Sequence, residues 1–207
     1  FRRALDFMRY ARTMTGDMLP VCKPDCQSPF SLACMIMGLD FYTLPLEDPE
    51  SAKAFLTFTS DLYCKSVEWA KEVDSECTTE TEGGGLGLSS TSFGAFLSVD
   101  HAVMFSPGMI DEFVIPSCRE AAERFGGARM HYCGWHEPLT RSLAALPETN
   151  VVNMGIVSDQ ELPFEKVMQI CRETDTIYHG KIPVGSDEGA VAYVDKLYDC
   201  ASAGLLL

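Results

Sequence analysis

Leu5, Met8 and Ala11 recur about one turn apart in residues 1–15, with polar positions between them, and predict an amphipathic helix ended by Gly16-Asp17. Met18 to Cys22 is short and apolar and predicts a strand, although Pro20 inside it cannot donate to a ladder. Ser28 followed by Pro29 is a favoured helix start. The helix it opens, through Met37, is apolar on nearly every side and is expected to be well buried. Asp48-Pro49 repeats the start signal for a long helix to about Val73, with Ala54, Phe58, Leu62 and Trp69 as a stripe to bury. Asp74 to Glu82 reads as a weak strand. Residues 83–105 form a long Gly/Ser-rich loop, of a length usually tied to function.

The second half alternates more cleanly. Ser106-Pro107 starts a helix that runs to about Phe125, bent at Pro116, and Gly126-Gly127 ends it. Strands follow at Ala128–Cys133, Val151–Val157 and Thr176–Val184. Helices lie between and after them at Glu137–Leu146, Leu162–Glu173 and Glu188–Ala203. Gly204 to Leu207 looks like the opening of one more strand. Such alternation implies parallel strands joined by crossover helices, as an incomplete barrel or a doubly wound sheet. Gly83-Gly84-Gly85-Leu86-Gly87 has neither the spacing nor the following helix of a dinucleotide-binding turn, which lowers the second option.

Composition narrows the function classes. The 207 residues suit one domain, and 46% apolar content allows a sizeable core. A net charge of −14 argues against a nucleic-acid surface and, more mildly, against a pocket for a multiply anionic ligand. No apolar run reaches membrane-spanning length, and the first residues lack a signal-peptide core. Nine scattered cysteines, odd in number, read as reduced thiols of a cytoplasmic protein. The chain starts without Met, so it is expected to begin inside a longer protein.

The residues with chemical potential fall at predicted strand ends. His131 and Cys133 are two apart on one strand, so both side chains project to the same face at its carboxyl end. Barrel enzymes keep their active sites at that end, imidazole and thiolate are both good zinc ligands, and Gly134 permits a sharp turn after them. Spacing alone does not decide between this reading and a buried His beside an inert core Cys. His136, on the loop, is a further candidate ligand or acid–base group. Asp100-His101 ends the long loop, either over the barrel mouth or as an exposed pair. Glu80 and Glu82 alternate on the weak strand, and His179-Gly180-Lys181 ends another. Each can be catalytic or simply structural.

Several stretches, in order, resemble the uroporphyrinogen decarboxylase superfamily: GDMLPVCKPDCQSPFSLACMIMG at 16–38, LEDPESAKAFL at 46–56, DHAVMFSPGMIDEFVIP at 100–116, ARMHYCG at 128–134, NVVNMGI at 150–156 and IYHGKIP at 177–183. The resemblance implies a (β/α)8 TIM-barrel fold, here an incomplete barrel of about six βα units. It also implies that 1–207 is one partial domain lacking the first two strands and the carboxyl-terminal end. The H-x-C-G motif at His131 to Gly134 is similar to that of the zinc-dependent methylcobamide:thiol methyltransferases. That branch implies Zn2+ on His131 and Cys133, with a third ligand, a cysteine, expected beyond Leu207. It further implies a small-molecule thiol substrate, a corrinoid protein partner and an active-site role for Asp100, while His136 and His179 stand as catalytic candidates from their positions alone. Two alternatives stand beside it: a metal-free uroporphyrinogen decarboxylase of porphyrin biosynthesis, and an inactive fragment.

Overall fold

The computed structural model describes residues 1–16, 18, 21–73, 93–155, 162–180, 187–200 and 205–206. Four helices come first: α1 (Arg2–Thr15), α2 (Pro29–Met37), α3 (Asp40–Glu47) and α4 (Pro49–Val73). Then β1 (Ala95–Ser98) leads through a 3-10 turn (Asp100–Met104) to α5 (Pro107–Met109), a π-helical stretch (Ile110–Val114) and α6 (Ile115–Arg124). Strand and helix alternate from there: β2 (Ala128–Cys133), α7 (Glu137–Ala144), β3 (Thr149–Gly155), α8 (Phe164–Thr174), β4 (Ile177–His179), α9 (Asp187–Cys200) and β5 (Leu205–Leu206). Among the described residues no helix is long and apolar enough to cross a membrane alone.

The five described strands are parallel and lie in chain order, β1-β2-β3-β4-β5. Each crossover moves one strand further in the same direction. That is how a barrel winds; a doubly wound sheet reverses at a switch point. Alternate residues divide the sheet into two faces. Ala95, Leu97, Ala128, Met130, Tyr132, Val152, Met154 and Tyr178 belong to the main core, together with Phe30, Tyr63, Leu139 and Val167 from the helices. Phe96, Ser98, Arg129, His131, Asn153 and His179 alternate with them along the strands, and their polar groups gather on the opposite face.

Local sequence explains most boundaries. The Ser28 side chain accepts a hydrogen bond from the Ser31 amide, with Pro29 at the first helical position of α2. Asp48 caps α4 in the same way through Ser51. Pro116 has no N–H and its ring crowds the carbonyl four residues back. The helix meets this with the π-helical stretch Ile110–Val114 just before it and runs on to Arg124.

Four expectations are corrected. Val21 and Cys22 are irregular and form no strand, as fits a segment where Pro20 removes a ladder donor. The Gly/Ser-rich loop is interrupted by β1, which is buried at all four positions. In α2, Met35 and Ile36 are exposed, because only its Phe30, Ala33 and Cys34 side meets the core. In α4, Phe58 and Trp69 face outward. The buried stripe runs instead through Ala52, Leu56, Tyr63, Val67 and Ala70, with Thr59 and Ser66 between them. Those hydroxyls bond to carbonyls of their own helix, so small polar residues sit there at little cost. The weak strand at 74–82, with Glu80 and Glu82, lies outside the described residues, as do the glycines at 83–87 and Lys181.

Candidate metal centre

Strand β2 carries His131 and Cys133 on the face away from the helices, while Tyr132 between them turns into the core. Tyr132 is fixed there by the Thr140 hydroxyl at 2.5 Å. His131 is fully buried, and its ring stacks on Phe96 with centroids 5.9 Å apart. Cys133 is exposed at the strand end, its Sγ 3.7 Å from His131 Nε2. The chain turns at once: Gly134 has φ 84, a left-handed conformation that favours glycine, and its amide bonds to the Gly155 carbonyl at 2.9 Å.

Asp100 arrives from the neighbouring strand. Ser98, the last residue of β1, pairs in register with His131, and Asp100 opens the 3-10 turn two residues on. Its Oδ1 accepts from the Cys133 amide at 2.6 Å and its Oδ2 from the Ser98 hydroxyl at 2.5 Å. Burial pushes the Asp100 carboxyl up, but the Ser98 hydroxyl, nearby His131 and the Cys133 amide outweigh it and leave its pKa below the ordinary value. The carboxylate is therefore ionised at neutral pH. One ligand atom from each of Asp100, His131 and Cys133 can be chosen so that all three lie within 4.8 Å of one another.

Strand β3 supplies support. Asn153 is paired with His131 in register, and its Oδ1 lies 2.5 Å from His131 Nδ1. Its Nδ2 donates to the His179 carbonyl at 2.5 Å. Gly155, opposite Cys133, leaves the thiol its space: a Cβ there would stand 2.7 Å from Sγ and 3.3 Å from the Cys133 Cα.

The other candidates stand apart from this cluster. His136 is the N-cap of α7, its Nδ1 accepting the Leu139 amide at 3.1 Å. His101 packs beside Tyr42, with ring centroids 6.5 Å apart. His179 reaches the cluster through its backbone carbonyl. Burial, reinforced by Arg129 and His131, pushes its imidazole down to about 4, so it is neutral near pH 7. Cys200 packs against the main core, on the far side of the sheet. The eight described cysteines form no disulfide with one another. Sequence reading missed Ser98, Asn153 and Gly155. The one signal for Asn153 is a polar residue inside an apolar strand.

A histidine nitrogen, a cysteine sulfur and a carboxylate oxygen are a donor set suited to zinc. Thiolate and carboxylate together balance a divalent charge, and three protein donors leave a fourth position for a substrate. The residues present therefore fit the ion. No protein-family model matches the chain, and no curated protein matches it. In fold it is similar to a methyltransferase from Methanosarcina mazei, with a TM-score of 0.71 and 12% identity. That similarity covers 98% of this chain and 56% of the methyltransferase, so the chain spans little more than half of its length.

Proposed function

We propose that Asp100, His131 and Cys133 hold a zinc ion, and that the protein transfers a methyl group to a thiol. In this reading the five parallel strands belong to a (β/α)8 barrel, with the site at their carboxyl ends. The observation that carries it is the convergence of nitrogen, sulfur and oxygen donors from the ends of two adjacent strands. The similarity in fold to a methyltransferase supports the same reading.

Each residue then has a task. Cys133, exposed, provides the thiolate donor on the side open to substrate. His131, fully buried against Phe96, provides a nitrogen donor shielded from water. Asp100, anchored by Ser98 and the Cys133 amide, provides the oxygen and holds the turn after β1 against β2. Bound zinc supplies a Lewis acid that keeps a thiol ionised near neutral pH. The released proton passes to solvent at the open side. In this reading a corrinoid would supply the methyl group, and the open side at Cys133 is where the zinc-held thiol would meet it.

The test is metal content and thiol methylation in the protein and in Cys133→Ser. Roughly one zinc per chain is expected, lost on substitution together with transfer activity. A protein without bound zinc, whose thiol methylation survives Cys133→Ser, would sink the reading.

A further inference from the structure

We infer that Asn153 is a positioning residue that makes Nε2, and not Nδ1, the donor nitrogen of His131. The argument runs through one amide group held at both ends. A backbone carbonyl only accepts hydrogen bonds, so the group of Asn153 that lies 2.5 Å from the His179 carbonyl must be its NH2. The amide oxygen then faces His131 Nδ1 at 2.5 Å. That oxygen also only accepts, so Nδ1 carries the imidazole proton. In the neutral ring the remaining nitrogen, Nε2, is left with its lone pair. Nε2 is the atom that points at Cys133 Sγ.

Flipping the amide would set its oxygen against the His179 carbonyl, a clash of two acceptors that neither tautomer of His131 relieves. Asn153 and His131 are both buried, so solvent is poorly placed to relieve it. The His131–Asn153 register across β2 and β3 brings the two side chains together. This is the arrangement in which a hydrogen bond to one ring nitrogen sets which nitrogen a metal meets.

The metal consequence rests on the zinc reading above; the tautomer does not. The first measurement is therefore 15N NMR of the imidazole nitrogens in metal-free protein. His131 is expected as the Nδ1–H tautomer. Asn153→Leu removes the acceptor and is expected to shift the population toward Nε2–H and to weaken zinc binding about 10- to 100-fold. Asn153→Asp keeps an acceptor at Nδ1 but sets its second oxygen against the His179 carbonyl, so it is expected to restore the Nδ1–H tautomer and only part of the affinity. Asn153→Ala replaces Asn153→Leu if the leucine variant does not fold. A wild-type His131 found as Nε2–H overturns the inference. So does Asn153→Leu or Asn153→Ala retaining Nδ1–H and binding zinc within about twofold of wild type. If wild type binds no zinc, the zinc reading falls, while the tautomer comparison still decides the role of Asn153.

Discussion

The two faces of β2 solve different problems with alternate residues of one strand. Ala128, Met130 and Tyr132 close the core against the helices. Arg129, His131 and Cys133 turn the other way, and polar groups collect there. The first face is held by apolar contact, which tolerates approximate shapes. The second is held by directed bonds: Asp100 to the Cys133 amide and Asn153 to the His131 ring. Damage to the first face should cost stability and spare the geometry of the site. Damage to the second should disturb the site at a smaller cost in stability.

The sharpest way to break this comparison is Met130→Ala. Met130 is 1% exposed and its loss leaves a cavity between sheet and helices. Stability should fall by about 2–5 kcal/mol in a denaturant melt. Zinc affinity measured under folding conditions should stay near wild type. A large loss of affinity in the folded variant would show that the two faces are not separable.

Gly155→Ala probes the opposite face. The added methyl group would stand 2.7 Å from Cys133 Sγ and 3.3 Å from the Cys133 Cα. The sulfur can swing away, but the backbone atom can yield only if β2 and β3 part. The cost should be about 1–3 kcal/mol in stability, with zinc affinity down on the order of tenfold. Unchanged affinity would mean that Cys133 does not need its present position.

The same division explains what the sequence made legible. His131 and Cys133 could be placed on one face because strand period depends only on local spacing. The helix starts at Ser28-Pro29 and Asp48-Pro49 are local too, and both are found where their signals predict. Asn153 could not be read. Its value depends on which β3 residue lies beside His131, and the β2–β3 register shifts at Ala128 and Arg129. Strand β1 was hidden because four buried residues follow a Gly/Ser-rich run and lead straight into a 3-10 turn. The buried face of α4 was misjudged because Phe58 and Trp69 carry a stronger apolar signal than Thr59 and Ser66, which pack inward with their hydroxyls satisfied.

The smallest expected effect separates two histidines five residues apart. His131 lies at the cluster; His136 holds the first turn of α7 by accepting the Leu139 amide. His136→Ala removes that cap and should cost on the order of 1 kcal/mol. His136→Asn keeps a side-chain acceptor at the cap and should recover most of it. Neither substitution should change zinc content or the His131 tautomer, because no bond of His136 reaches Asp100, His131 or Cys133 among those described. Loss of methyl transfer in a His136→Asn variant that keeps its stability and its zinc would return His136 to the chemistry. Retained transfer would confine it to the helix it caps.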